Sequence, residues 1–440
     1  MGIAQKERAR GLLLRARGLA LLRGVLENGP ARDLMTLLRA AAGGSPAPEE
    51  SAEACGRLWG ALAREAAGER LLDDAWRSHL VGRLLEDENP WSLAAERGGT
   101  LEPALREQAV RELRVLQEIA GLRAGELFGI AAASAPDVAK LWGEWEFAAG
   151  AEGPRRELAR RLAGAEDWGS RVEELEAHFA RHGAGELGRF RAFRWREGRL
   201  EPVREPDPVG LQDLAGHEEE REPLLRNTER FLAGLPASHA LVYGQPGTGK
   251  SSNVKAVLGA YAGRGLRAVE VAREDLDELP AVLNRLRGRG VSCIVFVDDL
   301  SFEAHETEYK ALKALLEGSL EAPPENVLLY ATSNRRNLIR ESFTERDEDV
   351  HAHDTAREKL SLAARFGLRV TFLAPDQKKY LAMVENLAEK RGLGVPREEL
   401  HERALAWEHR LSARSGRAAR QFVDELQAEL AEKGRIDAGA

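Results

Sequence analysis

Residues 241–252 decide the fold, and they read Leu-Val-Tyr-Gly-Gln-Pro-Gly-Thr-Gly-Lys-Ser-Ser. From Gly244 to Ser251 the stretch satisfies the pattern G-x-x-x-x-G-K-[ST]. The apolar residues before it predict a strand, and a helix is predicted to begin at about Gly249. Glycines at the turn allow the backbone N–H groups to point inward, where side chains would otherwise block an anion. The pattern therefore predicts a phosphate-binding loop followed by a helix whose positive dipole end faces the same anion.

This loop is the candidate nucleotide site. Lys250 can reach the β- and γ-phosphates, and the Ser251 hydroxyl can coordinate Mg²⁺. We expect ATP and Mg²⁺ as the bound molecules. The predicted nucleotide-binding residues of the loop are Gly244, Gln245, Pro246, Gly247, Thr248, Gly249, Lys250, Ser251 and Ser252.

A second stretch, residues 293–299, reads Cys-Ile-Val-Phe-Val-Asp-Asp. A continuous apolar run of this length is typical of a strand buried on both faces of a parallel sheet. Two carboxylates at its end are costly unless they meet a cation. We predict that Asp298 holds Mg²⁺ together with Ser251, and that Asp299 polarises the attacking water.

Composition indicates a globular protein of more than one domain. The chain has 440 residues, of which 43% are hydrophobic and 31% charged. The net charge is −8, so the chain lacks the excess of basic residues that is typical of nucleic-acid-binding proteins. Nucleic acid is therefore an open but unfavoured partner. Two cysteines make no disulfide framework. No secretion signal or membrane-spanning run is visible, which predicts a cytoplasmic protein without a membrane partner.

Periodicity divides the chain into four segments. Residues 1–185 read as a helical N-terminal domain with a loop at Glu49–Glu53, and residues 186–210 as a hairpin and linker. Residues 211–374 alternate strands and helices around the phosphate-binding loop, which predicts a P-loop α/β fold with a parallel sheet, and residues 375–440 read as a small separate helical domain. The predicted strands are 239–244, 267–271, 291–297, 327–332 and 370–373, the predicted helices are 249–263, 277–288 and 307–317, and 341–354 is a predicted loop.

The segment Arg189–Arg199 reads Arg-Phe-Arg-Ala-Phe-Arg-Trp-Arg-Glu-Gly-Arg and has two interpretations. Basic residues interleaved with aromatic ones are typical of a platform on which nucleic-acid bases stack. The alternation and the Glu197-Gly198 pair favour a β-hairpin with one buried face.

Polar residues follow other predicted strands and helices. Asn334 is the second residue after strand 327–332, where it can hold the attacking water. Arg365 precedes the last strand. The run Ser415-Gly-Arg-Ala-Ala-Arg420 places two arginines on a helix of the small domain 375–440.

Taken together, these motifs resemble those of the AAA+ ATPases, and over roughly residues 190–430 the chain is similar to a bacterial branch called domain of unknown function 815. The resemblance implies that Asn334 is sensor 1 and that Leu211–Gly216, including Leu214, packs on adenine. It implies an arginine finger at Arg365 acting on a neighbouring subunit, with Arg335 and Arg336 as alternatives. It also implies that residues 375–440 form a helical lid, with sensor 2 at Arg417 or else Arg420.

One departure from many AAA+ sequences concerns the water-activating acid. The acidic pair is Asp298-Asp299 rather than Asp-Glu, so the second carboxylate is shorter by one methylene. Because catalysis depends steeply on position, hydrolysis is expected to be slow or to be assisted by Glu303.

Three functions follow from this reading. The first is an oligomeric AAA+ ATPase that remodels an unknown protein partner bound by the N-terminal helical domain. The second is an ATP-dependent switch or scaffold with little turnover. The third is a loader of DNA complexes, with Arg189–Arg199 as its contact.

Overall fold

The computed structural model describes residues 3–27, 29–43, 47–67, 71–134, 136–139, 153–301, 312, 313, 316, 323–334, 362–411 and 414–437. It divides into two compact units. The first comprises Met1–Arg189 and Arg289–Val291, and the second comprises Phe190–Gly288 and Ser292–Ala440. Within the described residues, no helix combines the length and the apolar character that crossing a bilayer requires.

The first unit is helical, as its apolar periodicity predicts. Its α-helices are α1 (Ile3–Arg17), α2 (Gly24–Glu27), α3 (Gly29–Ala41), α4 (Pro48–Ala67), α5 (Ala75–Glu86), α6 (Pro90–Glu96), α7 (Pro103–Ala120), α8 (Ala124–Ser134), α9 (Pro136–Ala139), α10 (Pro154–Ala163), α11 (Val172–His182) and α12 (Gly185–Arg189). Their buried residues form one continuous apolar core, in which Trp91, fully buried, meets Phe179 edge to face.

The loop predicted at Glu49–Glu53 is wrong, because these residues form the first turns of α4. Pro48 opens the helix at a position where its missing N–H costs nothing, and Glu49 and Glu50 lie in the first turn beside the positive end of the helix dipole. The proline and the glutamates that mark this helix start have the polar composition of a loop, which explains the wrong prediction.

A buried ion pair stabilises the first unit. The Glu96 carboxylate accepts hydrogen bonds from Arg289 Nε and Nη2, both at 2.8 Å, and from the backbone N–H groups of Ala184 and Gly290 at 2.7 and 2.8 Å. Burial by itself raises the pKa of Glu96, but these bonds and the Arg289 charge outweigh it and lower the pKa below its ordinary value. Glu96 is therefore charged and paired inside the unit.

The second unit has an α/β core and a helical lid. Its strands are β1 (Ala192–Arg196), β2 (Arg199–Pro202), β3 (Ala240–Gly244), β4 (Leu266–Glu270), β5 (Ser292–Val297), β6 (Val327–Ser333) and β7 (Leu368–Phe372). The described α-helices of the core are α13 (Glu218–Leu232), α14 (Lys250–Tyr261) and α15 (Leu279–Leu286), and those of the lid are α16 (Gln377–Lys390), α17 (Arg397–Leu411) and α18 (Gly416–Asp437).

The seven strands form one sheet in the order β2-β1-β4-β5-β6-β3-β7. Every pairing is parallel except that of β1 with β2. The strands from β3 to β7 lie within two residues of the predicted bounds, and the parallel α/β P-loop fold is confirmed. Every residue of β6 and all but the first of β5 are buried, as expected for central strands covered on both faces.

The hairpin interpretation of Arg189–Arg199 is confirmed. Strand β1 pairs with β2 around a turn in which Glu197 and Gly198 have positive φ of 51° and 73°. Phe193 and Trp195 are buried on one face, and Arg194 donates to Glu270 at 3.0 Å. The sequence did not predict that β1 also pairs in parallel with β4, which extends the sheet by two strands.

Strand β6 lies between β3 and β5. The carboxyl ends of these parallel strands therefore open at one edge of the sheet, where Gly244, Asp298 and Asn334 are found. Several predictions lie outside the described residues: most of helix 307–317, the loop 341–354, and the alternative residues Glu303, Arg335 and Arg336.

Candidate nucleotide site

The phosphate-binding loop joins the end of β3 to the start of α14. Gly247 and Gly249 have φ of +80° and +90°, a conformation that favours glycine. At Gly244 a Cβ would lie 2.0 Å from the carbonyl oxygen of Phe372 in β7, so only glycine allows the two backbones to approach. The Thr248 hydroxyl closes the turn by donating to the Gln245 carbonyl at 2.9 Å. The loop thus presents backbone, rather than side chains, to a ligand.

Lys250 is held at the centre of the loop. Its Nζ donates to the carbonyls of Gly244 and Gln245 at 3.0 and 2.9 Å and to Asn334 Oδ1 at 2.9 Å. Burial lowers the pKa of Lys250, while the nearby carboxylates of Asp299 and Asp298 oppose that shift. The ammonium group therefore lies at the loop, already turned toward the acidic pair.

Ser251 and Asp298, the two predicted metal ligands, are in direct contact. The Ser251 hydroxyl donates to Asp298 Oδ1 at 2.6 Å across the gap between α14 and β5. A hydroxyl and a carboxylate are hard oxygen donors, and Mg²⁺ is commonly bound by one or two such groups with phosphates and water completing its octahedron. The chemistry of this pair fits Mg²⁺.

Asp299 contacts the predicted sensor residue. Asn334 Nδ2 donates to Asp299 Oδ1 at 2.5 Å, while the carbonyl of the same amide accepts from Lys250. One amide thus bridges the phosphate-binding lysine and the candidate water-activating acid. Asp299 has a φ of +52°, an uncommon value for a residue with a side chain.

Thr332 is a residue of this site that the sequence analysis missed. It is 1% exposed near the end of β6, and its hydroxyl donates to Asp298 Oδ1 at 2.5 Å. The hydroxyl oxygen of Thr332 also accepts the Asp299 N–H at 2.9 Å. The available signal was a polar residue inside an otherwise apolar strand, two positions before Asn334.

A cleft of about 1110 Å³, including the open space at its mouth, extends from the loop toward the lid. Its lining residues include Gly247, Thr248, Gly249, Ser251, Ser252 and Asp298 at one end, and Asp213, Leu214, Ala215, His217, Met383 and Leu387 at the other. The first group is polar and glycine-rich, whereas most of the second is apolar. A triphosphate at the loop would place a nucleobase among the apolar side chains.

Lid residues complete this apolar end. Met383 and Leu387 are one helical turn apart on α16, so they share one face, and sequence analysis assigned them no role. Gly216 has a φ of +90°, and a Cβ there would lie 2.7 Å from Met383 Cε. Leu214, which the resemblance assigns to contact with adenine, lines the cleft beside them, and its carbonyl accepts from the buried Arg221 at 3.1 Å.

Both lid arginines line the cleft, but they lie near different groups. The Arg417 N–H donates to the Gly247 carbonyl at 3.4 Å, and the charge of Arg417 adds to the lowering of the Lys250 pKa. The pKa of Asp213 is lowered chiefly by its hydrogen bond from Lys390, with a smaller contribution from Arg420. Arg417 therefore belongs to the phosphate end, and Arg420 to the Asp213 side.

Three predicted residues, Arg365, Gln245 and Pro246, are exposed and do not line the cleft. Arg365 is exposed three positions before β7 begins at Leu368, and it is not among the residues that line the cleft. Gln245 and Pro246 form the exposed tip of the phosphate loop. Within one chain, the described residues thus place the loop, the Ser251–Asp298 pair and Arg417 at one cleft, and hydrogen bonds from Asn334 connect the loop to Asp299.

Comparison with known proteins identifies a family for this part of the chain. The family described as "Protein of unknown function (DUF815)" matches residues 188–430. No curated protein matches the chain. Two structures of RuvB from Thermotoga maritima, one of an arginine-to-alanine variant and one titled Holliday junction branch migration motor, match at 14% identity with TM-scores of 0.32 and 0.31. Each match covers 50% of this chain and 72% of the other.

Proposed function

Because this chain belongs to the DUF815 family, and the family's match over residues 188–430 contains the whole cleft, we propose that the protein binds ATP and hydrolyses it with Mg²⁺. We further propose that it acts as an oligomeric AAA+ ATPase that remodels a protein partner. The division into residues 1–185, 186–210, 211–374 and 375–440 is part of this proposal, with the first segment as the partner-binding domain.

The observation that carries the proposal is the hydrogen-bonded connection of the catalytic candidates. Ser251 bonds Asp298, and Asn334 bonds both Lys250 and Asp299, at 2.5–2.9 Å. Separate segments of the chain bring these groups to one edge of the sheet. A glycine-rich turn alone would not require that arrangement, whereas phosphoryl transfer does.

Binding and orientation fall to the loop and the lid. The backbone N–H groups of the phosphate loop and the N-terminus of α14 would hold the phosphates, and the Lys250 ammonium would leave its carbonyl partners for the β- and γ-phosphate oxygens. Arg417 would add a charge-assisted hydrogen bond from the lid. Ser251 and Asp298 would hold Mg²⁺, which supplies neutralisation of charge on the phosphoryl oxygens.

Hydrolysis needs a water molecule that is held and deprotonated. In this proposal the Asp299 carboxylate accepts a proton from that water, and the Asn334 amide orients it. An arginine from a second subunit would stabilise the charge that develops on the γ-phosphate. The exposure of Arg365 supports it as this residue, because a finger that acts in trans must be accessible to a neighbour.

A second candidate function, the switch with little turnover, is favoured by a specific observation. Asp299 Oδ1 is bonded to Asn334 at 2.5 Å, and its side chain is one methylene shorter than that of a glutamate, so fewer positions of a water molecule lie within its reach. The DNA loader gains no such support, because two of the hairpin arginines are paired with carboxylates: Arg194 with Glu270 and Arg199 with Glu201.

Phosphate release from Mg²⁺-ATP, measured over a range of protein concentrations, tests the proposal. Lys250→Ala should remove activity, whereas Lys255→Ala, on the same helix but outside the cleft, should retain it. Specific activity that rises with protein concentration would support active sites shared between subunits. Tight ATP binding without release would favour the switch, and the absence of ATP binding in the wild-type protein would refute both candidates.

A further inference from the structure

The three consecutive residues that follow β5 are all hydrogen-bonded to Thr332 of β6. The Thr332 hydroxyl donates to Asp298 Oδ1 at 2.5 Å and accepts the Asp299 N–H at 2.9 Å. The Thr332 carbonyl accepts the Leu300 N–H at 2.7 Å. No other side chain in the described part of the site contacts both acidic residues through a single atom.

The place of Thr332 in the sheet makes these contacts rigid. It is aligned with Val242 of β3, and its neighbour Ala331 is aligned with Val297 of β5, so it is flanked by strands on both sides. Its side chain is 1% exposed, and water therefore does not compete for its hydroxyl. A buried hydrogen bond of this kind holds its partners more firmly than an exposed one.

The geometry of the acidic pair depends on this hydroxyl. Asp299 has a left-handed backbone with φ of +52°, which is unfavourable for a residue with a Cβ and persists where surrounding contacts impose it. Its N–H bond to Thr332 is such a contact. Asp298 Oδ1 is held between two hydroxyls, that of Ser251 at 2.6 Å and that of Thr332 at 2.5 Å. Removing the Thr332 hydroxyl would remove one of the two hydroxyl contacts of Asp298 and the hydrogen bond that holds the Asp299 backbone.

We propose that Thr332 is a positioning residue for hydrolysis, whose hydroxyl sets the Asp298 carboxylate for the metal ion and the Asp299 carboxylate for the attacking water. This inference rests on the proposed ATPase function. It also accounts for the short second acid, because a fixed backbone can direct an aspartate to a place that a longer side chain would reach by itself. A valine would preserve the shape of residue 332 but would neither donate to Asp298 nor accept from Asp299.

The test compares Thr332→Val with Thr332→Ser, which keeps the hydroxyl and loses the methyl group. In Thr332→Val, kcat should fall by about 10- to 100-fold, since displacement of a catalytic group by about 1 Å has an effect of that order. The Mg²⁺ concentration for half-maximal activity should rise, while ATP affinity measured in EDTA should stay within about twofold. Thr332→Ser should retain hydrolysis within about threefold of wild type.

A matched control is Thr371→Val on β7, which removes a threonine hydroxyl from another strand of the same sheet and should leave the rates unchanged. Wild-type kcat and Mg²⁺ dependence in Thr332→Val would overturn the inference while leaving the ATPase proposal intact. Equal losses in Thr332→Ser and Thr332→Val would also overturn it, because they would assign the effect to the methyl group.

The two proposals fail in different ways. If the wild-type protein binds Mg²⁺-ATP without hydrolysing it, proposed hydrolysis fails, and Thr332 is then tested by the Mg²⁺ concentration that half-saturates ATP binding. A rise in that concentration in Thr332→Val alone supports its positioning of Asp298, and an unchanged value overturns it.

Discussion

The positions of Arg417 and Arg420, which lie one turn apart on the same lid helix, predict different effects on nucleotide binding. Both line the cleft, but Arg417 lies beside Gly247 and Lys250, whereas Arg420 contributes to the lowered pKa of Asp213. Substituting Arg417 by alanine should therefore weaken binding of a triphosphate more than binding of a monophosphate. Substituting Arg420 should affect both nucleotides to a similar degree.

The magnitude follows from the surroundings of Arg417. A hydrogen bond to a charged group contributes about 1.5–3 kcal/mol. Arg417 is exposed in this structure, so solvent screening places its contribution near the lower value. A loss of about 1.4 kcal/mol corresponds to about a tenfold increase in Kd for an ATP analogue. For AMP, which lacks the β- and γ-phosphates, we expect less than about a twofold change.

Calorimetric titration of a non-hydrolysable ATP analogue and of AMP into each variant measures this difference. Arg420→Ala is the matched control, since it lies on the same helix α18 and removes the same charge. The reasoning would be refuted by a selective loss of triphosphate affinity in Arg420→Ala with Arg417→Ala unchanged. Equal losses for ATP analogue and AMP in Arg417→Ala would refute it as well.

Three further predictions address the proposed metal ligand Ser251, the proposed arginine finger Arg365 and the buried ion pair of the first unit. Ser251→Ala should raise the Mg²⁺ concentration needed for half-maximal ATP binding, and an unchanged titration would remove Ser251 from the metal site. Arg365→Ala should retain ATP binding but lose about 10³-fold or more in turnover. Mixing this variant with Lys250→Ala subunits should restore turnover, because those subunits supply an intact Arg365. Full activity in Arg365→Ala alone would contradict the role of Arg365 as a finger. Glu96→Gln should cost the first unit about 3–5 kcal/mol in denaturant unfolding, because it leaves the buried charge of Arg289 partly uncompensated. The folded pKa of Glu96 lies below its ordinary value of 4.5, so the stabilisation by this carboxylate should be complete above about pH 4.5 and be lost as pH falls through the folded pKa. The unfolding free energy of Glu96→Gln should therefore fall less in acid than that of the wild-type protein. An equal fall in both proteins would argue against a charged, paired Glu96.

The phosphate loop shows why part of the site was predictable. Its function depends on backbone conformation over eight successive residues, so the glycines, Lys250 and Ser251 are encoded next to one another. Asp298 and Asn334 were predicted for a related reason, since each closely follows a strand that its own apolar run identifies. The alternation of strands and helices then placed these strand ends at one edge of a parallel sheet.

Other parts of the site depend on residues far apart in the chain. Thr332 reads as a strand residue until β5 and β6 are paired, and only then does its hydroxyl lie 2.5 Å from Asp298. Met383 and Leu387 read as ordinary apolar positions of a helix, and their place at the cleft requires the lid to pack beside Leu214. The hairpin was predicted from its local turn, but its pairing with β4 was not, because that register joins residues far apart along the chain.

The amino-acid sequence by itself determined the fold class, the phosphate loop and the acidic strand end, because each follows from local backbone geometry and from the period of apolar residues along one element. Only the tertiary structure decided which hydroxyl holds the acidic pair, that Arg417 rather than Arg420 lies beside the loop, and which lid side chains form the apolar end of the cleft. These are contacts between elements, and their distances depend on strand order and helix packing, which the residue pattern of a single element does not reveal.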